Sequence, residues 1–201
     1  MNPHKQLPST ARVTFGDLSR FIRSRLDDCD SLRAIARSDY NQLVLLEREL
    51  FPDTSGIFDA ACVRHSVRYF PYSILVGKSS NRIEAYFSFF PLTARGFQYC
   101  LDNKTTTICQ FPAELFKPKR QVIKSIFLEV LASKPTCSYQ IKRDAISIAV
   151  SLLRSFSHLP FLSCPVSHDG LRILEKLDFR SVKSDGLNSL YLREPKNGAA
   201  K

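Results

Sequence analysis

The sequence predicts an α/β (α+β) fold built on one mixed sheet of about six or seven strands. Three observations carry this. Short β-branched or aromatic runs alternate with stretches whose apolar residues recur at helical spacing. Two of the runs, 72–77 and 82–92, flank a tight polar turn and read as an antiparallel hairpin. A third, SIFLEVLA at 125–132, is nearly continuously apolar and closed by Pro135, as expected of a strand buried in the middle of a sheet.

The elements follow in chain order. Residues 1–30 read as a basic N-terminal arm, residues 31–195 as one domain, and 196–201 as a disordered tail. Met1 to Thr10 is polar, carries two prolines and is expected to be disordered. From Phe15 to Leu26, Leu18, Phe21, Ile22 and Leu26 share one helical face while Arg20, Arg23 and Arg25 lie off it. That is a short amphipathic helix, expected to pack on the domain ahead of contacting membrane or RNA.

Leu32–Ala36 reads as a strand, Asp39 as a helix N-cap, and the helix runs to Phe51-Pro52 with Leu43, Leu46 and Leu50 facing inward. Val44 and Leu45 widen that stripe. Asp59 to Tyr69 is a second helix, stopped by Pro71. Gly77 to Asn81 has turn composition between the hairpin strands. Ala94–Asn103 reads as a helix with Phe97, Tyr99 and Leu101, and Phe111–Arg120 as a loop with two prolines. After the central strand, Asp144–Phe156 is expected to be a helix whose buried face holds Ile146, Ala149, Val150, Leu153 and Phe156. Pro160 stops it. Phe161–Cys164 is a short strand, Asp169–Leu177 a helix, and Arg180–Glu194 a final hairpin.

Composition narrows the function classes. The 201 residues are 44% apolar and 24% charged, within the globular range. No leading basic-plus-apolar segment is present, and no apolar run reaches the roughly 20 residues that span a bilayer. A soluble, cytoplasmic protein without a membrane partner is expected. Six scattered cysteines, none in a CxxC pair, predict free and mostly buried thiols, with neither a disulfide framework nor a metal site. The net charge of +10 leaves nucleic acid or a phosphate-rich ligand open as a partner. The charges are spread, with modest gatherings at 12–37 and 117–124, so an ordinary basic surface is favoured. None of the four histidines has a partner at catalytic spacing, and there is no Gly-rich nucleotide loop.

Three segments, in this order and spacing, carry a family resemblance: LERELFPD (46–53), AYFSFFPLT (85–93) and SHDGLRILEKLDFRSV (167–182). Over about residues 30–195 the chain resembles the GNAT superfamily of N-acetyltransferases, as a divergent member. The resemblance implies a mixed, mostly antiparallel sheet of six to seven strands with helices on both faces. It also implies transfer of an acyl group, most simply acetyl from acetyl-CoA (coenzyme A), to an amine acceptor on a small molecule or protein. A homodimer is open. Two alternatives stay beside this: a GNAT-fold protein that has lost catalysis and serves as a binding or regulatory module, and an acyltransferase acting on RNA-bound aminoacyl groups.

The departures are specific. Where the family carries a glycine-rich loop for the pyrophosphate of coenzyme A, this chain has Lys134 to Arg143 with no glycine. The backbone near Leu131, Ala132 and Ser133, with Gln140, Ile141, Lys142, Arg143 and Ser167, is the cofactor-binding set implied. Lys142 and Arg143 bring charge that could stand in for the missing glycines. The family's frequent tyrosine acid is Leu174 here, its asparagine is Ser167, and the glycine before Phe179 is Asp178. Tyr139 and Tyr191 are candidate replacement acids. From the residues themselves, Glu129 is the candidate general base. A carboxylate between Leu128 and Val130 of a buried strand is awkward without purpose. A structural anion is the competing reading, and Glu84 is a weaker second candidate.

Overall fold

In the computed structural model the described residues are 12–52, 58–103, 122–182 and 186–196. The expected Phe111–Arg120 loop and the terminal residues 1–11 and 197–201 lie outside them. Helix α1 (Phe15–Asp27) is followed by strand β1 (Leu32–Ala34), α2 (Tyr40–Leu50), α3 (Ala60–Tyr69), the hairpin β2 (Ile74–Ser79) and β3 (Arg82–Leu92), and α4 (Ala94–Asn103). Then come β4 (Ser125–Ser133), α5 (Tyr139–Ser155), β5 (Phe161–Ser163), α6 (His168–Lys176), β6 (Arg180–Ser181) and β7 (Tyr191–Arg193). The described strands form one sheet in the order β1-β2-β3-β4-β5-β7-β6. β4 and β5 are parallel and the other neighbours antiparallel. The mixed, mostly antiparallel sheet is as the sequence predicts.

The hairpin turn is made by Ser80 and Asn81, both at positive φ, the left-handed conformation that matches the twist of two antiparallel strands. β4 sits in the middle of the sheet because both its neighbours bury apolar rows against it: Phe87, Phe89 and Phe90 from β3, Phe161 and Leu162 from β5. One face of the sheet is covered by α1 and α5, whose Leu18, Ile22, Ile141, Ile148 and Leu152 join Phe87, Phe89 and Phe161 in one core. On the other face α2 and α3 pack Leu43, Leu46 and Val63 on Ile74, Val76 and Tyr86. α1 is thus part of the main core, its Phe21 ring set edge-on against Phe156 at 5.2 Å.

α5 approaches β2 so closely that a Cβ on Gly77 would overlap Cγ2 of Ile141. Glycine at 77 is a packing requirement, independent of the turn that follows it.

Four expectations need correction. Asp39 does not cap α2 with its side chain. It is buried, accepts from the Ala36 N–H at 3.2 Å, and pairs with Arg33 and Lys78, so two cations compensate its desolvation. Leu45 is 63% exposed, because the inward stripe of α2 is Leu43, Val44, Leu46 and Glu47. α5 begins at Tyr139, capped by the Ser138 hydroxyl, and its buried residues are Ile141, Ala145, Ile148, Ala149, Leu152 and Leu153; Ile146 is outside the core. Cys29, Cys100, Cys137 and Cys164 are free, but Cys62 is disulfide-bonded. Nothing in sequence spacing encodes which distant segments approach one another.

Candidate active site

The site begins where two strands part. β4 and β5 are paired through Ile126–Phe161, Phe127–Leu162 and Leu128–Ser163, and there the pairing stops. The Ser163 hydroxyl donates to the Leu128 carbonyl at 2.8 Å at this last rung. β4 continues to Ser133 paired only with β3, through Val130–Ser88, Leu131–Phe87, Ala132–Tyr86 and Ser133–Ala85. Its other edge has no strand beside it among the described residues. Backbone groups on an unpaired strand edge are available to a ligand.

A cleft of about 370 Å³ opens there. Its walls are Leu128 to Leu131 of β4, Ile146, Ala149, Val150 and Leu153 of α5, the 163–167 segment, and Gly170, Ile173 and Leu174 of α6. Leu131, Ile146, Val166 and Ile173 are each large, apolar and more than two-fifths exposed, and all four line this cleft. Apolar side chains held out of a core and gathered around one concavity mark a ligand site. α5 therefore has two apolar faces, one in the core and one, through Ile146 and Val150, on the cleft.

Glu129 lies on the cleft wall. The ladder between β3 and β4 steps from Ser88–Val130 to Phe89–Leu128, so Glu129 is the extra residue of a β-bulge. A bulge re-aims the side chain it carries. The Ser88 hydroxyl donates to Glu129 Oε2 at 3.0 Å. Two residues along the same strand, the Tyr86 hydroxyl donates to Glu47 Oε2. Glu47 sits in the inward stripe of α2, 8% exposed. Burial, and then the Glu129 carboxylate, push its pKa up to about 8. Glu47 is the member of this group that sequence reading missed. The available signal was its position four residues after Leu43, on the same helical face.

The loop after β4 is held by contacts to β3, to α2 and within itself. Lys134 N–H donates to the Glu84 carbonyl at 2.8 Å, and its ammonium pairs with Glu49 of α2 at 2.6 Å. Lys142 Nζ donates to the Pro135 carbonyl at 2.9 Å, and Ser138 caps α5 by accepting from the Ile141 N–H. Arg143 is exposed, 3.6 Å from Asp144. Burial, helped by the Glu84 carboxylate and opposed by Lys142, pushes the Cys137 thiol up. Glu84 itself is the extra residue of the bulge in the hairpin, between the Gly77–Ala85 and Lys78–Ile83 pairs.

The sequence-derived candidates distribute unevenly. Glu129, Leu131 and Ser167 line the cleft, Ser167 capping α6 through the Gly170 N–H. Ala132 and Ser133 continue the same strand beyond it. Gln140, Lys142 and Arg143 lie on the first turns of α5, where Gln140 Nε2 donates to Asp144. The Ile141 side chain is in the core. Tyr139 is 77% exposed at the start of α5, and Tyr191 is buried in the core with its hydroxyl accepting from the Gly186 N–H at 3.1 Å. Neither tyrosine lines the cleft.

The architecture, a seven-stranded, mostly antiparallel open sheet flanked by helices, in which the parallel β4 and β5 diverge, is the fold that the resemblance to the GNAT superfamily implies. Three solved structures are similar to this chain in fold. A Staphylococcus aureus Mu50 protein assigned as an acetyltransferase superposes with a TM-score of 0.50 at 13% identity, over 82% of this chain and 99% of that one. The Escherichia coli GNAT family N-acetyltransferase YhbS, solved in complex with CoA, gives 0.49 at 13% identity over 82% and 81%. A Brucella melitensis GNAT family acetyltransferase, in complex with acetyl-CoA, gives 0.47 at 10% identity over 83% and 88%. No protein-family model and no curated protein sequence matches the chain. At these identities the likeness is one of fold.

Proposed function

We propose that this chain is a divergent member of the GNAT superfamily that transfers an acyl group, acetyl in the simplest case, from acyl-coenzyme A to an amine. The observation that carries the reading is the parting of β4 from β5 below a cleft lined by exposed apolar residues, with a carboxylate on its wall. The residues fit such a cofactor at its arm: the edge of β4 beyond Leu128, which pairs with no other strand among the described residues, offers backbone groups, and Ile146, Val166 and Ile173 offer apolar contact. Lys142 and Arg143 at the start of α5 supply positive charge for its phosphates. When bound, the cofactor supplies an activated acyl carbonyl.

The chain's own residues do the rest. Backbone N–H groups of β4 past Leu128 stabilise negative charge on a carbonyl oxygen. Glu129, aimed by its bulge and held by Ser88, accepts the proton of an ammonium acceptor, directly or through a water, and releases it to solvent. The apolar walls exclude water from the acyl group.

The glycine-free loop at 134–143 and Leu174 in the place of a tyrosine favour a second reading, a GNAT-fold binding module without catalysis. Thermal shift with acetyl-CoA tests the first half: a ligand at 100 times its dissociation constant stabilises by about 2.7 kcal/mol. Mass-spectrometric assay of acetyl transfer to a panel of amines tests the second. Stabilisation together with transfer supports the first reading, and the absence of both refutes it in favour of the binding module.

A further inference from the structure

Glu47 has no part in the proposed chemistry as described, yet it is among the least expected residues in the core. It stands on the inward face of α2 among Leu43, Leu46 and Val63, with Tyr86 and Val130 of the sheet opposite. An isolated ionised carboxylate there would be costly, and no ion pair is made by Glu47 among the described residues. What the fold places around it is directional. Tyr86 and Ser88 project from the same face of β3, two residues apart. Tyr86 donates to Glu47 and Ser88 to Glu129. The bulge then brings Glu129 from this row to the wall of the cleft. Two donor–carboxyl pairs thus stand side by side on one face of β3, one ending on a buried carboxyl and the other on the site.

We propose that Glu47 and Glu129 form a coupled two-carboxyl pair that holds one proton at rest, on Glu47, the positioning residue that keeps Glu129 the ionised member facing the cleft. This rests on the acyltransferase reading given above. Two carboxylates in one low-dielectric site do not both ionise, and the proton goes to the more buried member. Among the described residues of β2, β3, β4 and α3, which share this core with α2, the polar and charged groups facing Glu47 are the Tyr86 hydroxyl and the Glu129 carboxylate; β2 presents Ile74 and Val76, and α3 Val63 and Val67. Glu129 is the charge that acts on Glu47, and the burial of Glu47 holds the proton there through neutral pH. The transfer balances: the acceptor ammonium loses a proton to the Glu129 carboxylate, leaving a neutral amine and a neutral Glu129, which returns the proton to water. Glu47 keeps its own proton throughout. If it were ionised, the pair would carry two negative charges and Glu129 would take up a proton itself.

Two measurements decide this. In protein carrying side-chain 13C-labelled glutamate, the Glu47 carboxyl resonance, assigned by its loss in Glu47→Gln, is expected to titrate near pH 8 and to move to lower pH in Glu129→Gln. A Glu47 titration that is unmoved by Glu129→Gln overturns the pair, whether or not the protein is an enzyme. The second is kcat/KM against pH for wild type and Glu47→Gln with the same amine, so that the amine's own titration cancels in the ratio. That ratio is expected to change by about threefold or more between about pH 7 and pH 9.5. A constant ratio overturns the positioning role. A coupled titration in a protein that acetylates no amine refutes the acyltransferase reading, and the catalytic role of Glu47 with it, while leaving the coupled pair as a property of the fold.

Discussion

The Ser163 hydroxyl donates to the carbonyl of Leu128 at 2.8 Å, at the rung where β4 and β5 separate. A parallel pair that ends in the middle of a sheet leaves polar backbone groups with no partner strand, and a side chain from the shorter strand takes up one of them. The floor of the cleft is thereby fixed by a bond between the two strands that define it.

Replacing Ser163 by alanine removes this donor from a buried site. The loss is expected to cost about 1–3 kcal/mol of stability, the range for leaving one buried acceptor unsatisfied, read from urea unfolding midpoints. Affinity for acetyl-CoA should fall as well, by calorimetric titration, because the strand edge above loses its anchor.

Glu129→Gln preserves size and the hydrogen bond from Ser88 while removing the proton acceptor. Turnover at neutral pH is expected to fall by about 10²–10⁴-fold with fold and cofactor affinity kept. An unchanged rate per folded molecule, together with a lowered melting temperature, would make Glu129 a structural anion.

The raised pKa of Glu47 has a stability consequence of definite sign. Its folded value, about 8, lies above the ordinary 4.5, so the native state binds the proton more tightly than the unfolded chain. Native stability from this group is fully present below about pH 4.5 and is lost as pH rises to about 8. Glu47→Gln abolishes that slope. The variant should melt higher than wild type at pH 8.5, and the difference should shrink towards pH 5, as measured by circular dichroism.

Gly77→Ala places a methyl group where Ile141 Cγ2 already lies. Overpacking of this kind typically costs about 1–3 kcal/mol, and it acts on the contact that seats α5 against β2. Pairing it with Ile141→Ala should recover part of the loss in a double-mutant cycle, because alanine lacks the Cγ2 atom at the point of overlap.

Lys142→Glu with Arg143→Glu reverses charge at the start of α5. Arg143 is exposed and Lys142 half-buried on the Pro135 carbonyl, so the melting temperature should change little. Coenzyme A affinity, measured by calorimetry, should drop by tenfold or more if these cations meet its phosphates.

Much of the scaffold is legible in the residues themselves. The 72–92 hairpin and the central strand at 125–132 follow from turn composition and from runs of β-branched, aromatic and apolar residues, all local properties. Glu129 stands out because one charge interrupts an apolar strand. The tertiary structure decided what depends on two distant segments meeting. Periodicity marks Ile146 and Val150 as apolar but does not say whether a core or an open cleft receives them. The bulge that aims Glu129 exists only in the register between β3 and β4, strands some forty residues apart. Glu47, an ordinary glutamate on a helix, becomes a buried acid when the sheet closes over it and brings a second carboxylate near. Local sequence specifies the elements; desolvation and charge proximity, which set the chemistry, arise only once those elements are packed together.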